Sequence, residues 1–263
     1  MMKQECIGKE WNGVEHIQST KNARVKEWKK LFSKKGRDKS DLYIIEGFHL
    51  VEEALKNQAV KEIMIEEDLE LPDDLIIENI RINTITSEVS KTISETETTQ
   101  GIFAVCHKKQ LEIDISSHPR LLLLDRVQDP GNIGTMIRTA EAAGMDAVIL
   151  GEGSGDLYNS KVIRSAQGSH FHIHVESGNL HEWIDKLKAA NLPVFGTALE
   201  NGVSYEAVDP VKSFALIVGN EGSGISQEIL EKTDKNLYIP IYGKSESLNV
   251  AIAAGILLYY LRK

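Results

Sequence analysis

The hydrophobic rhythm of the chain changes near its middle. In the N-terminal part, apolar positions recur at helical spacing over 22–34, 46–57 and 87–98, alternating with short strand-like runs at 43–45, 62–65 and 102–106. This predicts a small α/β domain over 1–107. A polar stretch at 108–119, closed by Pro119, reads as a linker. From 120 to 263 the pattern is different: the runs at 121–124, 147–150, 193–196 and 214–218 are almost unbroken apolar. Such runs suit parallel strands that helices cover on both faces. Helical patterns fall between and after them at 133–143, 160–167, 180–191 and 225–232. The last helix, 248–261, places Ala251, Ala253, Ala254 and Gly255 before a bulky run from Ile256 to Tyr260, so it packs in the core or against a second subunit. The predicted fold class is α/β, a parallel-sheet domain preceded by a smaller α/β domain.

Charge alters this picture locally. The net charge of -9 argues against nucleic acid as a partner, because phosphate binding needs Lys and Arg. Between Lys21 and Lys39, however, nine basic residues face two acidic ones. The compensating acid lies mostly from Glu62 to Glu97, so an acidic chain can still offer RNA one positive face. Lys21, Arg24, Lys29, Lys30, Lys34 and Lys35 are the expected RNA contacts. The competing reading of such a run is a solvated helix face. The N-terminus shows no continuous apolar leader, and the apolar stretch near 248–261 is too short to span a bilayer; a cytoplasmic protein with no membrane partner is expected. Two distant cysteines, Cys6 and Cys106, read as free thiols rather than a disulfide or a zinc site.

Three segments near the ends of predicted strands concentrate Gly, Asn and charge: 124–144, 216–226 and 239–255. In a parallel sheet the ligand crevice lies beyond the carboxyl ends of the strands. Neither a GxGxxG nor a Walker A sequence is present, which argues against a dinucleotide-dependent oxidoreductase. Glu221, within the second segment, would repel a pyrophosphate but not a cofactor carrying a positive sulfonium.

In this order the segments resemble the motifs of the SpoU (TrmH-type, SPOUT) family of RNA 2′-O-ribose methyltransferases. The first carries Asn132, Gly134, Arg138, Thr139 and Gly144; the second Gly219, Asn220, Glu221 and Gly222; the third Pro240, Ser247, Leu248 and Asn249. The resemblance covers 121–263, and the N-terminal part is more loosely similar to the ribosomal-protein-like substrate-binding domain of many such enzymes. It implies a SPOUT domain with a deep trefoil knot, S-adenosylmethionine (AdoMet) as cofactor, no metal, and a homodimer packed through the C-terminal domains. It further implies cofactor contacts at Thr197, Gly219, Asn220, Glu221, Gly222, Ile239, Ser247, Leu248 and Asn249. The extra N-terminal domain favours ribosomal over transfer RNA as substrate. A transfer-RNA 2′-O-methyltransferase, or a non-catalytic RNA-binding or ribosome assembly factor, is the alternative.

The resemblance gives the catalytic part to Arg138. Arginine, with a pKa above 12, suits orienting the hydroxyl or clamping a phosphate better than acting as a base. Asn132 is expected to position the substrate or Arg138, or to cap a helix; Glu221 to orient Arg138 or accept hydrogen bonds within its loop. Ser247 and Asn249 are expected to position the ribose, with Ser247 also a good N-cap for the last helix. His170, His172 and His174 alternate with Phe171, Ile173 and Val175, which predicts an edge strand rather than a zinc site.

Overall fold

Leu121 and Leu123 face one core, Leu122 and Leu124 the other, and all four are fully buried. This alternation on a strand covered twice is the organising feature of the C-terminal unit in the computed structural model, which describes residues 15–72, 80–108, 113–117 and 119–262. The chain divides into two units, Met1–Lys109 and Gln110–Lys263. Cys6 and part of the expected linker lie outside the described residues.

The N-terminal unit holds β1 (Glu15–Ile17), α1 (Ala23–Lys30), α2 (Lys34–Ser40), β2 (Leu42–Glu46), α3 (Phe48–Lys56), β3 (Val60–Glu66), β4 (Arg81–Ile85), α4 (Ser87–Thr92) and β5 (Ile102–His107). Its mixed sheet runs β1-β4-β3-β5-β2, and Val25, Trp28, Leu31, Val89 and Ile93 pack on Met64, Phe103 and Val105. The basic segment, expected as one helix over 22–34, is two. Ser33 caps α2 by accepting from the Gly36 N–H at 3.1 Å, and the buried Arg37 donates to the carbonyls of Leu31 and Phe32 at 2.7 and 2.8 Å. Helix α4 ends well before 98, because Ser94 and Thr96 turn their hydroxyls to the Glu46 carboxylate at 2.9 and 3.0 Å. Cys106 is a free, fully buried thiol in β5, and burial pushes its pKa up.

The C-terminal unit holds β6 (Arg120–Asp125), α5 (Pro130–Ala142), β7 (Ala147–Gly151), α6 (Ser160–Ala166), β8 (His174–Gly178), α7 (Leu180–Ala189), β9 (Val194–Thr197), β10 (Val203–Ser204), β11 (Phe214–Gly219), α8 (Gln227–Leu230), β12 (Lys235–Tyr238) and α9 (Val250–Leu261). Its seven strands run β10-β12-β9-β11-β6-β7-β8, every pair parallel. Helices α5, α6 and α9 cover one face; α7 and α8 cover the other. Close packing of α5 on α6 depends on Gly134, where a Cβ would stand 2.4 Å from the Val162 carbonyl oxygen. Helix α9 buries Ala251, Ala254, Leu257, Leu258 and Leu261, with Gly255 lying close to Thr139 of α5.

The histidine run is not a strand. Ser169–Phe171 form a 3-10 turn and only His174 belongs to β8, the edge strand expected nearby. His174 pairs with Glu176 at 2.9 Å, and Glu176 also accepts from the Trp183 indole at 3.1 Å. Desolvation, then the neighbouring His172, pushes the His170 pKa down. Among the described residues no group of three His, Cys, Asp or Glu is placed to hold a metal.

Candidate active site

Strand order reverses its direction of growth between β6 and β11, which pair in register with Gly219 opposite Asp125. This is the switch point of the sheet, where a crevice opens beyond the strand ends. Leu237 of β12 pairs with Thr197 of β9, so the ends of β6, β9, β11 and β12 share one edge. The three sequence motifs leave the sheet along that edge.

The loop after β11 is closed on itself. Asn220 and Gly224 exchange backbone hydrogen bonds of 3.0 and 2.9 Å, and Gly224 takes φ +68°. A Cβ on Gly219 would lie 2.1 Å from the Gly224 carbonyl carbon, so the closure requires glycine. The Asn220 Oδ1 accepts from the Gly222 and Ser223 N–H groups at 3.0 and 3.1 Å, while its Nδ2 donates to the Arg126 carbonyl at 2.9 Å. Buried Asp125 accepts from the Ser226 N–H at 2.7 Å.

Glu221 joins this loop to α5. Its carboxylate accepts from the Gln128 and Asp129 N–H groups at 3.2 and 3.1 Å and from Asn132 Nδ2 at 3.0 Å. Asn132 Oδ1 in turn accepts from Asn249 Nδ2 at 2.9 Å, and Asn249 caps α9 through the Ala251 and Ile252 N–H groups. One hydrogen-bonded chain thus connects all three motifs. Desolvation opposes the Glu221 charge, yet the hydrogen bonds led by Asn132 outweigh it and hold its pKa below the ordinary carboxylate value.

These contacts correct several expected roles. Asp129, not Asn132, caps α5, accepting from the Asn132 N–H at 2.8 Å; Pro130 opens the helix three residues earlier than its apolar pattern shows. Asn249, not Ser247, caps α9. Glu221 holds the α5 N-terminus, and its hydrogen bonds go to Gln128, Asp129 and Asn132 rather than to Arg138. Arg138 is exposed on α5 and makes no hydrogen bond or ion pair among the described residues. Thr197 spends its hydroxyl on the Ile217 carbonyl at 3.2 Å, Ile239 packs on the core, and Ser247 and Leu248 stand exposed. Asp125, Gln128 and Arg126 were not singled out from sequence; Asp125 ends an apolar strand, the one local signal available.

In the N-terminal unit, Lys21, Lys26, Lys29, Lys30, Lys34, Lys35 and Lys39 are exposed and make no ion pair among the described residues. Asp38 pairs instead with Lys108 at 2.8 Å. Arg24 departs from the expected RNA contacts. It turns to Glu62, a carboxylate only 9% exposed that also accepts from Trp28 Nε1 and Asn83 Nδ2 at 3.1 Å each. Its charge is therefore spent inside the fold.

Comparison with known proteins fits this layout. The SpoU rRNA Methylase family profile matches residues 119–259, and the MRM3-like substrate binding domain profile matches residues 22–104. The Bacillus subtilis (strain 168) protein named 23S rRNA (guanosine(2553)-2′-O)-methyltransferase RlmP is 53% identical over 95% of this chain and 100% of its own. The AdoMet-bound rRNA methyltransferase from Sinorhizobium meliloti superposes with TM-score 0.83 at 30% identity, covering 95% of this chain and 97% of that one. The SpoU methyltransferase AviRb from Streptomyces viridochromogenes, solved with AdoMet, gives TM-score 0.80 at 25% identity over 92% and 97% of the two chains. The chain belongs to the SpoU rRNA methylase family.

Proposed function

We propose that this protein transfers a methyl group from AdoMet to a ribose 2′-hydroxyl of ribosomal RNA. The observation that carries the reading is the Glu221–Asn132–Asn249 chain, which ties the three family motifs together at one sheet edge, with Arg138 on the same helix as Asn132 and unpaired among the described residues. The named Bacillus relative and the AdoMet-bound neighbours supply the substrate class and the cofactor.

The residues present suit that cofactor. Gly219, Gly222, Ile239 and Leu248 offer backbone and apolar contacts, and of the segments 219–226 and 239–249 only the second holds a basic residue, Lys244. A site so poor in cations fits a ligand without phosphates, and Glu221 favours a positive one. AdoMet supplies an electrophilic methyl on a sulfonium. Thr197, Gly219 to Gly222, Ile239 and Ser247 to Asn249 would hold it. The task left to the chain is to keep a weakly nucleophilic hydroxyl in line. Arg138, with five donors on a planar fork, is the group we assign to orienting the ribose and its phosphate. The strand order, with β12 entering between β9 and β10, supports the family's trefoil knot as the route of the segment 239–262. Mapping 2′-O-methylation in 23S rRNA with and without this protein tests the reading. The guanosine in the relative's name is the first position to inspect, and an identical methylation map would overturn the proposal.

The exposed lysines of α1 and α2 are proposed to bind RNA backbone. Reversing the charge of Lys29, Lys30, Lys34 and Lys35 should weaken RNA binding and flatten its salt dependence, by about 0.7 in log-log slope for each single-strand phosphate no longer neutralised, with cofactor affinity unchanged. An unaltered slope would refute this. Arg24→Ala should instead destabilise the N-terminal unit, since it strands the buried Glu62 charge.

We also propose a homodimer through the C-terminal unit and a cytoplasmic location. Ile252, Ile256 and Tyr259 are 55%, 38% and 48% exposed and recur at helical spacing on α9, an apolar stripe left open by the core. Among the described residues no helix is long and apolar enough to cross a membrane. Ile252→Asp with Ile256→Asp should give a monomer in sedimentation; a monomeric wild-type protein would contradict the stripe's role.

A further inference from the structure

Tyr242 is 92% exposed, on the loop that carries Ser247, Leu248 and Asn249. A single exposed aromatic is ordinary on a protein surface, but this ring offers a flat apolar face on the very loop that carries the third motif. From Tyr242 to Asn249 every residue is exposed. Among the described residues no backbone hydrogen bond ties 240–248 to the rest of the chain, and a Cβ at Gly243 would meet nothing within 4 Å. The ring therefore stands clear of the protein's own core. At its far end the loop is anchored, through the Asn249–Asn132 hydrogen bond of 2.9 Å, to the helix that bears Arg138.

The surroundings select the kind of occupant. Lys244 supplies a cation two residues on, with Glu246 the only acid between Ile239 and Asn249. Aromatic rings beside a cation are what unpaired bases stack on. Single-stranded RNA offers bases whose faces are free to stack on such a ring. The apolar stripe of α9 is assigned above to a second copy of the chain.

We propose that Tyr242 stacks on an unpaired RNA base adjacent to the nucleotide that receives the methyl group, and so restricts the enzyme to single-stranded contexts. This rests on the methyltransferase reading above. The test uses the full chain and a transcribed rRNA fragment with 2-aminopurine beside the modified nucleotide. Tyr242→Ala should raise the KM for RNA about tenfold and abolish the fluorescence quenching that accompanies binding, while Tyr242→Phe and Tyr242→Trp retain both. The kcat at saturating RNA, the Kd for AdoMet and the sedimentation coefficient should not move. An unchanged KM in Tyr242→Ala would overturn the proposal. A shift in sedimentation would instead place the ring in the subunit interface, and a shift in AdoMet affinity would place it against the cofactor; either overturns it. If the wild-type protein transfers no methyl, the methyltransferase reading fails on its own, and the quenching still reports whether Tyr242 meets a base.

Discussion

Arg138→Ala is expected to leave AdoMet binding within a few fold of wild type while methyl transfer falls at least ~100-fold, the scale of losing one positioned catalytic group. The structure motivates the separation. Arg138 is exposed on α5, whereas the loops after β11 and β12, proposed above to hold the cofactor, are tied by other residues: Asn220, Glu221, Asp125 and Asn249. With no partner to lose among the described residues, the substitution should cost little stability. Arg138→Lys is the more telling change. It keeps the charge and loses the planar fork, so bidentate orientation of ribose and phosphate predicts little rescue, and simple charge neutralisation predicts nearly full activity. Single-turnover transfer beside cofactor titration measures both. A wild-type rate for Arg138→Ala at saturating RNA would show the site assignment to be wrong.

Gly219→Ala is expected to do the opposite, abolishing cofactor binding before any chemistry. The new methyl would sit 2.1 Å from the Gly224 carbonyl carbon and 2.2 Å from the Ile225 nitrogen, both backbone atoms that no rotamer change can move aside. The loop must open, which breaks the Asn220–Gly224 pairing and withdraws the Glu221 carboxylate from the α5 N-terminus. We expect AdoMet affinity to fall by about 100-fold or more, since several positioned groups move together. The sheet should survive, because Gly219 is the last residue of β11 and the core on both faces is untouched. Calorimetry with AdoMet and circular dichroism distinguish the outcomes: tight binding with native structure would mean that the closed loop is not the cofactor site.

Much of the fold was legible because doubly covered parallel strands need long apolar runs, and such runs survive without any partner in view. The strands at 121–124, 147–150 and 214–218 lie within β6, β7 and β11 for that reason. Short edge strands carry no such mark. β1 and β10 have three and two residues, and β12 contains a single buried residue, Leu237, so none of them stood out. The alternating histidines misled in the opposite direction: period two is necessary for a strand but not sufficient, and the turn at Ser169–Phe171 took two of the positions, His170 and Phe171.

The sequence by itself determined the class of chemistry. The composition and order of the three motifs, the absence of phosphate-binding loops and the local surplus of lysine are linear properties, and each constrains function without knowledge of contacts. What only the tertiary structure decided is who holds whom. Glu221 and Asn132 are 89 positions apart, Asn249 and Asn132 are 117 apart, and only the sheet's switch point brings them within hydrogen-bond distance. Side-chain direction was equally invisible. Arg24 looked no different from the lysines around it, yet it turns inward because a buried Glu62 on β3 needs its charge, while Lys29 and Lys30 have no such partner and stay in solvent. A carboxylate taken out of water must be paired, and that requirement, set by burial rather than by neighbours along the chain, sorts the positive charges into structural and available ones.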